Sequence, residues 1–110
     1  MWNSQIKGLL VGATICIYDG NPGYPDLGRL WRFADEHRLT FIGAGAAFYA
    51  NCMKAGIVPS QIADLSSLRT IGSTGSPLPE EAFDWVYSQV KQDVLLASIS
   101  GGTDIAAAFV

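Results

Sequence analysis

The feature that most restricts the fold of this chain is an alternation of short apolar runs with helical stretches. Residues 13–18, 39–42, 68–71 and 94–97 are rich in β-branched and aliphatic side chains and are short enough for strands. Between them, Leu27, Leu30, Trp31 and Ala34 recur at helical spacing, as do Phe83, Val86, Tyr87 and Val90. A small-residue stretch, 46–55, lies between the second and third runs. Gly56 just past its end and Pro59 soon after form a helix stop. Residues 2–11 carry a milder helical pattern, with Gly12 as its stop. Asp26 suits the N-cap of a helix over 27–38. Pro79-Glu80-Glu81 opens another, its two acids near the positive end of the dipole. Such alternation predicts an α/β fold: four parallel strands in flavodoxin-like or Rossmann-like βαβ layers, with helices on both faces as right-handed crossovers.

Each expected strand runs into glycine: Gly20, then Gly43-Ala44-Gly45, then Gly72-Ser73-Thr74-Gly75, then Gly101-Gly102. In a parallel sheet these exits share one edge, where ligands of open α/β sheets bind. The richest is Ser98-Ile99-Ser100-Gly101-Gly102-Thr103-Asp104. Its glycines let the backbone approach a ligand closely. Thr103 offers a hydroxyl to a phosphate oxygen, and Asp104 a carboxylate to a hard cation such as Mg²⁺. A glycine turn after a strand is common by itself. A second such loop, Gly72-Ser73-Thr74-Gly75-Ser76-Pro77, is what points to a nucleotide site.

Composition narrows the setting. The 110 residues suffice for one small domain, with 49% hydrophobic and only 15% charged side chains. A domain so poor in charge either covers its sheet on both faces or presents part of its surface to something else. Net charge is −3, and the seven Lys and Arg residues are scattered, which argues against nucleic acid. No apolar run reaches the roughly 18 residues a membrane span needs, and the N-terminus lacks the basic start of a signal peptide. A cytoplasmic protein is the expectation. Cys16 and Cys52, without CxxC spacing, read as small buried hydrophobes. His37, at a helix end and without a second ligand nearby, reads as a dipole partner and not a metal ligand.

Trp2-Asn3, the run Gly8-Leu9-Leu10-Val11-Gly12-Ala13 and Tyr18-Asp19-Gly20-Asn21-Pro22 resemble the adenylate-forming acyl-CoA synthetases, an AMP-binding enzyme family. Gly72-Ser73-Thr74-Gly75-Ser76-Pro77-Leu78 and Ser100-Gly101-Gly102-Thr103-Asp104 resemble its acetoacetyl-CoA synthetase branch, and the likeness covers essentially the whole sequence. It implies a two-step ligase that activates acetoacetate with ATP and passes the acyl group to coenzyme A. It implies that Gly75, Ser76 and Pro77 border the adenine and ribose, and that Ser100, Gly101, Gly102 and Thr103 follow the nucleotide toward its α-phosphate. Asp104 would stand where the family usually places a glutamate that helps hold Mg²⁺. Gly43, Ala44, Thr74 and Gly101 would wall the acyl pocket, Gly101 leaving room that a tryptophan closes in acetate-activating relatives. Ser100 departs from the family, since many relatives carry an aromatic there that packs on the adenine. A stacking contact is therefore absent or supplied elsewhere.

The same likeness implies that residues 1–110 are a single partial domain, the central α/β subdomain of a longer AMP-binding domain. The phosphate loop would lie upstream, and the ribose-binding aspartate, hinge and lysine-bearing domain downstream. The 110 residues alone would then be inactive, with no general acid, base or nucleophile among them. Two other readings compete. A signalling receiver domain needs an acidic cluster at its strand ends; Asp19 supplies one acid, but the next strands end in Gly43 and Gly72. A non-catalytic α/β module binding a nucleotide or a protein partner would account for the apolar surface.

Overall fold

Three of the four apolar runs become strands: β1 (Phe41–Gly45), β2 (Thr70–Thr74) and β3 (Leu95–Ser98). The computed structural model describes residues 2–102 and 107–109, with side chains from residue 6 onward. The strands pair in parallel in the order β1-β2-β3. Register runs Phe41, Thr70 and Leu95 abreast, then Ile42, Ile71 and Leu96, then Gly43, Gly72 and Ala97. The first two strands extend into the glycine stretches expected to follow them, so Gly43, Gly45 and Gly72 lie inside the sheet.

Helices fall close to where periodicity places them. They are α1 (Trp2–Leu10), α2 (Arg29–Glu36), α3 (Ala46–Lys54), α4 (Pro59–Ile62) and α5 (Glu80–Trp85), the last continued by a π-helical turn, Val86–Val90. Gly12 and Gly56 take positive φ at their helix ends. Asp26 caps by a different route from the one expected. Its carboxylate accepts from the Gly28 N–H at 2.7 Å and pairs with Arg32, and the helix begins two residues beyond Leu27.

The core lies between the sheet and these helices. Ile42, Ile71, Ser73 and Leu96 project from the strands onto Trp31, Ala34, Phe48, Tyr49, Cys52, Ala82, Val86 and Val90, all buried. Trp31 sits at its centre, with the rings of Phe48, Tyr49 and Trp85 about it at centroid distances of 6.0–6.3 Å. Lys91 fixes the turn into β2 by donating to the carbonyls of Ser66 (2.9 Å) and Leu68 (2.7 Å).

Four expectations need correction. Residues 13–18 are not a strand: they line a cleft of about 700 Å³ together with β1, and no backbone hydrogen bond joins the two. The sheet accordingly has three strands, and Gly20 is not on its edge. Among the described residues, the helices that share the buried core lie on one face of the sheet. Strands added in one direction by right-handed crossovers place every crossover on the same side, and a doubly wound sheet needs a reversal of order that β1-β2-β3 lacks. The opposite face leaves Phe41 and Leu95 more than half exposed, with the Phe41 ring lying over Gly43 and Gly72. A short antiparallel pair, β4 (Gly101–Gly102) with β5 (Ala107–Ala108), follows the last strand. Finally, Cys16 is exposed, because its segment joins no core; Cys52 is buried as expected.

Candidate functional site

Parallel pairing brings the C-terminal ends of β1, β2 and β3 together, and most of the glycine-rich residues lie there. Gly45 is abreast of Thr74 and Ala44 of Ser73, which in turn meets Ser98. Beyond β2 the chain turns at Gly75 with φ +89°, a conformation that a residue with a Cβ adopts only under strain, and passes through Ser76 and Pro77 to α5. Beyond β3 the Ile99 N–H donates to the Ser73 carbonyl at 2.8 Å, tying the two exits together. Ser100 accepts from the Phe109 N–H at 2.7 Å as the chain enters β4. Gly101 faces the Ala107 carbonyl so closely that a Cβ would collide with it. That close approach by itself requires glycine.

The expected site residues fall into two groups. Gly43 and Ala44, with Phe41 and Phe48, line the 700 Å³ cleft beside residues 13–18. Thr74, Gly75, Ser76, Pro77, Ser100, Gly101 and Gly102 lie away from that cleft, on or beyond the ends of β2 and β3. Thr103 and Asp104 lie outside the described residues. The fit of Mg²⁺ to Asp104 therefore has no geometry here, and among the described residues no group of three His, Cys, Asp or Glu could hold a metal. Among the described residues, too, no helix is long and apolar enough to cross a membrane.

Sequence reasoning passed over Tyr49, an aromatic within the small-residue helix α3. It is fully buried, and its hydroxyl donates to the Gly72 carbonyl at 2.8 Å. Burial pushes the phenol well above its ordinary pKa, while the Ala44 N–H acts in the opposite sense, so the group stays a neutral donor. One signal was available: the tyrosine sits a turn after the glycines of β1, where a side chain of its length reaches back to the sheet. Ser73, next to the bonded carbonyl, is also fully buried, and its hydroxyl has no partner among the described residues.

Comparison with known proteins bears on this arrangement. The chain is 50% identical over 110 residues to the acetoacetyl-coenzyme A synthetase of Rhizobium meliloti (strain 1021), covering all of this chain and 17% of that protein. It is 43% identical over 109 residues to the acetoacetyl-CoA synthetase of Xenopus tropicalis, covering 99% of this chain and 16% of the relative. A solved structure, the acetoacetyl-CoA synthetase from Streptomyces lividans, superposes with a TM-score of 0.91 at 41% identity, over 98% of this chain and 17% of that one. The chain thus spans about a sixth of the length of these relatives. The family model for AMP-binding enzymes matches residues 2–109, nearly end to end. On that match the chain belongs to the AMP-binding enzyme family.

Proposed function

We propose that this chain is part of an acetoacetate–CoA ligase, the central α/β subdomain of its AMP-binding domain. The observation that carries the reading is the 50% identity, over its whole length, to a protein named acetoacetyl-coenzyme A synthetase. In the first step an acetoacetate carboxylate oxygen attacks the α-phosphorus of ATP, forming the acyl-adenylate and expelling pyrophosphate. In the second, the thiolate of coenzyme A attacks the acyl carbon and AMP leaves. Gly75, Ser76 and Pro77 border the adenine and ribose, and Ser100, Gly101, Gly102 and Thr103 follow the phosphate. Gly43, Ala44, Thr74 and Gly101 bound the acyl group. Asp104 is the residue that would hold Mg²⁺, which supplies charge neutralisation at the phosphates. This segment contributes positioning and backbone electrostatics, the terms that dominate such transfers. The setting is cytoplasmic, and the substrates are small molecules.

The test is acetoacetate-dependent exchange of radiolabelled pyrophosphate into ATP by the full-length protein that carries this segment, against acetate and butyrate. Acetoacetate should be preferred by about tenfold or more in kcat/KM. Preference for another acid would overturn the substrate, and exchange with none would overturn the ligase. The isolated 110 residues should show no exchange.

A further inference from the structure

We propose that Tyr49 is a positioning residue for the acyl pocket, reaching from α3 beside β1 to Gly72 on β2 to hold the ends of the two strands at a fixed separation. The inference rests on the ligase reading for the pocket itself, and on geometry for the rest. Gly43 and Gly72 stand abreast in register, so at this level neither strand has a side chain with which to grip the other. The Tyr49 hydroxyl supplies a substitute, donating to the Gly72 carbonyl at 2.8 Å. A carbonyl has two lone pairs, so Gly72 can serve the phenol without giving up a ladder partner. The ring that carries the hydroxyl is itself held, with Phe48 edge-on at 5.6 Å and Trp31 at 6.3 Å. On the far face of the sheet, Phe41 lies over the same glycines. Ala44 is a wall residue of the proposed acyl pocket, and Gly72 lies two residues before Thr74 on the other wall. A shift between the strands at this register changes the width of the pocket. The nucleotide loop begins at Gly75, beyond the hydrogen bond that ties Ser73 to Ile99, and is affected less.

The experiment compares Tyr49→Phe, which keeps the ring and removes the hydroxyl, with Val86→Ala. The latter is a buried change in the shared core that lowers stability and is no partner in the tie's hydrogen bond. Both are made in the full-length protein and read by amide hydrogen exchange and by acid preference. Tyr49→Phe should speed exchange at Ala44, Ser73 and Thr74 by about fivefold, the worth of one buried neutral hydrogen bond. It should also change the kcat/KM ratio of acetoacetate to butyrate by about threefold, with KM for ATP little altered. Val86→Ala should lower the melting temperature and leave that ratio where it was. Unchanged exchange at these amides, or a rise no more local than in Val86→Ala, would overturn the tie whatever the activity. Local loosening with an unchanged acid ratio would overturn the link to the pocket. Absence of any acid activation by the unmutated protein would overturn the functional half, while exchange would still decide the tie.

Discussion

Residues 13–18 and 39–45 have similar sequences and opposite fates. Both are runs of β-branched and aliphatic side chains ending near glycine. The second becomes β1, buries Ile42 and finds β2 at one edge. The first pairs with no strand, and Ile17 is 60% exposed. Its start is tied to α1, the Ala13 N–H donating to the Gly8 carbonyl at 2.9 Å, and at its end the Tyr18 ring meets Phe33 edge-on at 5.4 Å with the Arg29 guanidinium nearby. Strand propensity measures the fit of a side chain to a half-buried pleated surface, and without that surface it specifies little. The molecule accordingly divides into a sheet module that shares one core and an N-terminal stretch that leans on it.

Truncation should separate the two regions most sharply. Trp31→Ala removes the side chain at the centre of the core and should cost about 3–5 kcal/mol, whereas Ile17→Ala should stay within about 0.5 kcal/mol. Urea denaturation measures both, and equal costs would merge the regions. Next in size is Lys91→Met, which removes two charge-assisted bonds to backbone carbonyls from a largely buried ammonium stem. A loss of about 2 kcal/mol is expected, with the turn before β2 loosened.

A finer comparison uses two glycines with the same backbone strain. Gly12 and Gly56 have φ of +74° and +66°, and neither has an atom near where a Cβ would stand. Gly56→Ala should cost about 1 kcal/mol, because α3 is anchored in the core and cannot relax. Gly12→Ala should leave the midpoint almost unchanged, since no described side chain of α1 belongs to the buried cluster. The smallest effect is electrostatic. Asp26 and Glu36 are held below the ordinary carboxylate range chiefly by hydrogen bonds from Arg32 and Arg29, and Asp64 by the Ser66 N–H. A depressed carboxylate contributes stability that is complete above its unfolded pKa and is lost as pH falls through the folded one. The melting temperature should therefore be flat from pH 7 to about 5 and decline below about pH 4. All three groups are exposed, so added salt should shrink the decline.

What was legible in the sequence follows the same division. The Leu27-Leu30-Trp31-Ala34 stripe, the stop at Gly56 and the opening at Pro79 were readable because each depends on neighbours along the chain. The fate of residues 13–18 depends on a partner strand, which local pattern does not encode. Helices on both faces were expected from alternation alone, but the side a crossover takes depends on the order in which strands are added. At the candidate site, glycine marked the loops at Gly75 and Gly101 because the backbone there tolerates no side chain. The Tyr49 tie was hidden because nothing in a helix of small residues says which strand a tyrosine will reach.

The central claim is that the ends of β2 and β3, and not the stretch before α2, hold the nucleotide. Its most direct test is amide hydrogen exchange of the full-length protein with and without a non-hydrolysable acyl-sulfamoyl adenosine. The account predicts protection at 75–77 and 100–102, with residues 13–24 exchanging as before. Protection confined to 13–24, or none at 75–77 and 100–102, would contradict it.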